Sequence, residues 1–250
     1  MKIFKKIFIL VIIAMLSLGI TGCNKNSSTD NSISPTTDSR SLFEKIRTNQ
    51  LKNVAFESEV KIESEAFKTT MKSTGVYDFQ NNKAVINNIG DGLLNQDSTI
   101  YLVDNKVYML DPSNNQWQYT ELNTDVNSLI NKGIIVSSDK AYELMTFEKV
   151  GDGYLVKSKG AINIKEFLEA FNYNINNGLM FDDSLLNNLT VEFEYKLTKD
   201  YYPEEIKLTM SYNMAGMTYK TISEIKYSGY NQQKSIELPA EAKNAVKIGL

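Results

Sequence analysis

The chain has 250 residues, no histidine and one cysteine, which excludes a Ser-His-Asp triad, a histidine-bearing metal site, an imidazole proton shuttle and any internal disulfide. Its 30 acidic side chains outnumber 27 basic ones, so no surplus of positive charge is available to grip a nucleic acid. The length suits one domain, or a closely joined pair, with a substantial core.

Lys2, Lys5 and Lys6 precede an apolar run from Ile7 to Leu16 that continues to Ile20. This stretch is shorter than the roughly 20 residues a permanent membrane-spanning helix needs, and it reads as a secretory signal peptide, residues 1–22. Ile20-Thr21-Gly22-Cys23 then sets a branched apolar residue and two small ones before the cysteine. The order resembles the lipobox read by lipoprotein signal peptidase. That resemblance implies a diacylglyceryl group on the Cys23 thiol, an acyl chain such as palmitate on the processed amino end, and cleavage just before Cys23. It also implies a partner and an address: the protein is held to the cell membrane on its extracytoplasmic face. Loss of residues 1–22 removes three lysines and no acid, taking the net charge from −3 to −6, so lipid rather than basic charge is the expected anchor.

Residues 24–40 contain one large apolar side chain, Ile33, and cannot offset the entropy of being ordered. With Cys23 they form the expected tether, residues 23–40, which as a random coil spans roughly 20–25 Å. The remaining domain, 41–250, opens on a capping pattern, Ser41-Leu42-Phe43-Glu44, with Leu42, Phe43, Ile46 and Leu51 giving a helix its apolar face.

The period then changes to two. Between Phe56 and Glu65 the odd positions are Glu57, Glu59, Lys61, Glu63 and Glu65, and the even ones Phe56, Ser58, Val60, Ile62 and Ser64, which predicts a strand with one wet face. Phe67, Met71, Tyr77 and Phe79 share a parity and predict its hairpin partner. Ile100–Val103 and Lys106–Leu110 flank Asp104-Asn105, a two-residue turn that tolerates positive φ. The run 111–115 predicts a second turn, leading into Gln116-Trp117-Gln118-Tyr119.

Helical spacing follows over Asp125–Lys132, Ser138–Met145 and Asn163–Phe171, the last with Asn163 and Glu166 as a capping pair. Between the last two, Phe147–Lys159 predicts a hairpin around Gly151-Asp152-Gly153. After Leu189 three alternating runs return: Val191, Phe193, Tyr195, Leu197; then Ile206, Leu208, Met210, Tyr212; then Met217, Tyr219, Ile225, Tyr227. Short links make antiparallel neighbours. The expected class is therefore α+β, an antiparallel sheet with helices collected on one face.

This order of elements, with its tyrosine-rich hairpin 100–109, Trp117 and the late Tyr202-Pro203 block, resembles the Firmicutes lipoproteins of the DUF6612 kind. These in turn resemble the LolA/LolB and LppX/LprG lipoprotein-carrier fold. The resemblance covers roughly residues 41–240 and implies a curved, incomplete antiparallel barrel plugged by helices from 125–188, with an apolar hollow for acyl chains. Candidate lining residues are Tyr101, Tyr108, Trp117, Phe193, Tyr195, Met210 and Tyr219. Aromatic rings and flexible thioethers suit loosely defined apolar guests, and they suit ordinary sheet packing equally well.

No catalytic signature emerges, and no cofactor or metal is expected. Asp182-Asp183 and Glu204-Glu205 are adjacent acids of the kind that sit solvated in turns. Glu57, Glu59, Glu63 and Glu65 form a negative row that serves either a weak calcium or wall contact or a solvated face that discourages edge aggregation. Two non-enzymatic functions stay open: a lipid or amphiphile binder with a hollow between sheet and helices, and an envelope interaction lipoprotein with a filled core and a protein or cell-wall partner.

Overall fold

The computed structural model describes residues 51–90, 97–111, 114–121, 139–170, 188–214 and 216–248. The signal peptide, Cys23, the tether, the Ser41 helix, the Asp125–Lys132 helix and Asp182-Asp183 lie outside these residues.

Six strands lead the described chain: β1 (Asn53–Ser64), β2 (Lys68–Asp78), β3 (Lys83–Gly90), β4 (Ser98–Val103), β5 (Lys106–Asp111) and β6 (Gln116–Glu121). Helix α1 (Asp139–Glu143) precedes the hairpin β7 (Met145–Val150) and β8 (Gly153–Ser158), and the short β9 (Ile162–Asn163) runs into helix α2 (Ile164–Ala170). Then come β10 (Thr190–Leu197), β11 (Pro203–Met214), β12 (Met217–Ser228), a 3-10 turn at Ala240–Asn244 and β13 (Val246–Lys247). All thirteen described strands belong to one curved sheet in the order β13-β6-β5-β4-β3-β2-β1-β12-β11-β10-β8-β7, with β9 paired to β10. The pairings are antiparallel except that of β13 with β6. β7 and β13 stand at the two ends of the order, so the sheet is not closed into a barrel.

The alternating runs fold as their period dictates. In β1 the even residues Val54, Phe56, Ser58, Val60 and Ile62 are buried while Glu57 is exposed, and β10, β11 and β12 bury Phe193, Tyr195, Ile206, Met210, Tyr219 and Ile225 on the same inward face. Register proves the shared side: Ser58 pairs Ile225, Ile225 pairs Ile206, Ile206 pairs Tyr195 and Tyr195 pairs Val156. Turn chemistry also holds at Asp104 and Asn105, whose φ values of 53° and 57° match a two-residue hairpin.

Gly75 of β2 marks the tightest point of this face. It pairs with Phe56, and a Cβ there would lie 2.6 Å from the Phe56 ring and 2.2 Å from the Val85 carbonyl oxygen. The Phe56 ring, stacked on Tyr77 at 4.6 Å, occupies the space a side chain would take. Gly75→Ala is expected to lower stability by about 1–3 kcal/mol through overpacking, read as a shift of the urea midpoint with an unchanged slope.

Two details concern the helices and one strand. The described helices are only five and seven residues long, so among the described residues the expected curved antiparallel sheet dominates and helices are few. They fall inside the expected spans 138–145 and 163–171, and Asn163 Oδ1 accepts the Lys165 amide at 2.9 Å as the predicted cap. β11 begins at Pro203, ahead of the alternating run that starts at Ile206, because proline is tolerated as a first strand residue. β3 and β13 carry no alternating signal clear enough to have been expected.

After β12 the chain runs as a strap. Asn231 N donates to the Asn53 carbonyl at 2.8 Å, Gln233 N to Asn53 Oδ1 at 2.9 Å, and Lys83 Nζ to the Ile236 carbonyl at 3.2 Å. Tyr230 stacks on Tyr202 at 4.9 Å and donates to the Pro203 carbonyl at 2.6 Å, and desolvation pushes its hydroxyl up to about 12. The strap then reaches the other end of the sheet, where Val246 pairs with Gln118.

Candidate functional site

The inward face is built from large apolar side chains. Phe193 packs edge-on against Phe167 of α2 at 6.0 Å and against Tyr195 at 5.7 Å, and Tyr212 stacks on Tyr219 at 5.3 Å. Burial raises the Tyr77, Tyr212 and Tyr227 hydroxyls above the usual tyrosine range, so these phenols stay neutral donors.

Polar groups interrupt this face. Ser58, Ser73 and Asn88 occupy successive cross-strand positions on β1, β2 and β3, and all three are buried. Ser73 Oγ donates to Asn88 Oδ1 at 2.7 Å, and Asn88 Nδ2 donates to Ser98 Oγ at 3.2 Å. On β12, Ser223 is wholly buried opposite Val60, diagonally adjacent to Ser58, and its hydroxyl makes no hydrogen bond among the described residues. Sequence reading passed over this row, although hydroxyl residues at the apolar parity of a strand, Ser58 among them, were its signal.

The seven expected lining residues do not share a face. Phe193, Tyr195, Met210 and Tyr219 are buried inward. Tyr101, Tyr108 and Trp117 are half-buried on the opposite side: Ile86, Ile100 and Met109 pair across the inward face, while Val85 pairs Tyr101, Tyr101 pairs Tyr108 and Leu110 pairs Trp117 on the outer one. The physical reason is that β4 and β5 carry apolar side chains at both parities, and the parity that meets the Ile86 side belongs to Ile100, not Tyr101; β6 follows by register, which turns Gln118 and Thr120 inward and Trp117 and Tyr119 outward.

The outer face itself has two characters. Across β1, β2, β8 and β10–β12 it is a lattice of ion pairs: Glu59 with Lys61 and with Lys72 at 3.8 Å, Glu63 with Lys68 at 3.2 Å, Lys207 with Glu224 at 3.1 Å, and Lys196 with Glu205. The Lys61 hydrogen bond holds Glu59 below the ordinary carboxylate range, and Lys72 adds to it. The glutamate row is thus partly neutralised by lysine, and among the described residues no cluster of three or more acids or other ligating side chains is placed to hold a metal. From β3 to β6 the same outer face turns aromatic, with Tyr101 and Trp117 edge-to-face at 5.9 Å and Tyr108 and Tyr119 at 5.6 Å. A cleft of about 400 Å³ opens there between Asn87, Asp97, Thr99, Tyr101, Leu110 and Trp117, and its edge runs past Ile89 to Asn88 and Ser98 of the inward polar row.

Comparison with known proteins gives one family. The family of unknown function DUF6612 matches residues 39–247. No curated protein matches. Among solved structures, the lipoprotein LppX of Mycobacterium tuberculosis is 9% identical with a TM-score of 0.43, covering 79% of this chain and 99% of its own. A conserved protein from Thermus thermophilus is 9% identical with a TM-score of 0.38, covering 85% and 99%. A DUF1329 family protein from Desulfovibrio piger is 8% identical with a TM-score of 0.29, covering 81% and 96%. At that distance none of them passes a ligand to this chain.

Proposed function

The chain belongs to the DUF6612 family, and from that premise we propose that it is a membrane-anchored extracytoplasmic lipoprotein, non-catalytic, that holds a lipid or other amphiphile against the inward face of its sheet. The anchor is Cys23, supported by the Ile20-Thr21-Gly22-Cys23 order after a signal peptide. The observation that carries the ligand is the composition of the inward face. Small-molecule sites are mostly apolar with a few placed polar groups, and here aromatic and aliphatic side chains surround a short row of Ser58, Ser73, Asn88 and Ser223. The buried Ser223 hydroxyl has no hydrogen-bond partner among the described residues, and a polar group of a bound amphiphile would satisfy it. Phe193, Tyr195, Met210 and Tyr219 are the lining residues of this reading.

Organic extraction of the soluble domain, residues 41–250 expressed without Cys23, followed by mass spectrometry, is expected to recover acyl-containing material near one molecule per chain. Repeated recovery of clean protein would sink the amphiphile and leave an envelope interaction lipoprotein, the reading that the aromatic outer cleft favours.

A further inference from the structure

We propose that the cleft on the outer face of β3–β6 is a binding site for a neutral carbohydrate chain, a site that meets the inward face only at its edge, at Asn88 and Ser98, and that does not require an amphiphile on that face. The first ground is the change in surface chemistry. A sheet face whose only task is to meet water can continue the lysine and glutamate pairs of β1, β2 and β10–β12, yet β3–β6 confine charge to the strand ends, at Lys83, Lys106 and Glu121, and set Val85, Tyr101, Tyr108, Leu110, Trp117 and Tyr119 between them.

The second ground is the layout of the cleft. Its volume of about 400 Å³ falls within the roughly 300–1,000 Å³ of small-ligand pockets. Tyr101, Leu110 and Trp117 make an apolar wall, and Asn87, Asp97 and Thr99 a polar one. A pyranose ring has the matching pair of surfaces. Its axial C–H bonds form an apolar face that rests on the electron-rich face of an aromatic ring, and its equatorial hydroxyls point sideways as donors and acceptors. The Thr99 hydroxyl donates to Asn87 Oδ1 at 3.0 Å, which turns the donor end of that amide away from Thr99. Asp97 is exposed and offers only acceptors when ionised, which suits hydroxyl donors.

The third ground is charge. Among the described residues neither lysine nor arginine lines the cleft, so a phosphate-bearing ligand finds no counter-charge from them and meets the Asp97 carboxylate instead. A bilayer surface fits less well for the same reason, and because a recessed polar wall cannot be pressed into hydrocarbon.

Trp117 is the single tryptophan of the sequence, so its emission reports on this cleft alone. The full chain, reconstituted in phosphatidylcholine vesicles, is titrated with the β-1,4-linked tetramer of N-acetylglucosamine and with the α-1,4-linked tetramer of glucose. A saturable change in Trp117 emission is expected with at least one of them. Calorimetry is expected to show affinity falling roughly tenfold in Trp117→Ala, and several-fold in Asp97→Ala, a change at an exposed position that leaves the strands intact. The proposal is overturned if neither tetrasaccharide alters the emission at millimolar concentration, or if binding survives both substitutions. It is equally overturned if brominated phosphatidylcholine in the vesicles quenches Trp117, which would make the patch a bilayer contact. None of these results depends on what organic extraction of the inward face recovers.

Discussion

Cys23→Ala is expected to abolish membrane attachment outright: the protein either leaves the membrane fraction or persists there as a precursor still carrying residues 1–22. Cys23 is the only thiol in the chain, so no second cysteine can take over the diacylglyceryl group. Each buried methylene contributes about 0.8 kcal/mol to membrane affinity, and two chains are needed for durable anchoring where one binds reversibly. The net charge of −6 after processing offers no electrostatic substitute on an anionic leaflet. Cell fractionation with palmitate labelling checks it. Continued labelling of the variant would remove the anchor from the account.

The second large effect concerns stability. Phe193→Ala is expected to cost about 3–5 kcal/mol, the range for truncating a buried phenylalanine, measured by urea unfolding of the soluble domain. Phe193 is 2% exposed and contacts Phe167 and Tyr195, so its loss leaves a void between α2 and β10. Tyr101→Ala, at a half-buried outer position, is expected to cost about 1 kcal/mol. Equal costs for the two would show that both faces are packed alike, contrary to the register described above.

How much of this was readable beforehand differs from strand to strand for a physical reason. In β1 charged residues from Glu57 to Glu63 keep to one parity and the apolar residues Phe56, Val60 and Ile62 to the other, and a slip of one residue would bury Glu57, Glu59 and Glu63, so this face is legible from sequence. β10 and β11 behave likewise. β4 reads Ser-Thr-Ile-Tyr-Leu-Val and β5 Lys-Val-Tyr-Met-Leu-Asp, apolar at both parities, so nothing local tells inward from outward. That ambiguity leaves Tyr101 and Tyr108 indistinguishable from Phe193 and Met210 by sequence, and Trp117 inherits it because the face of β6 is set only by its register with β5. The inward polar row was hidden for the converse reason: a serine within an apolar stripe looks like a small filler until Asn88 is seen to reach Ser73 and Ser98.

The strap has a kinetic meaning. Its terminal strand meets β6 with a Lys247–Glu121 contact of 2.6 Å between residues 126 positions apart, a long-range closure, though a shorter one in sequence than the β1–β12 pairing. Loop closure over such a distance comes late in folding, so β6 is completed only after the meander beside it has formed. Until then its free amides and carbonyls are a template on which a neighbouring chain can add a strand. Shortening the strap should therefore show itself first as concentration-dependent aggregation during refolding, before it registers as a lower melting temperature.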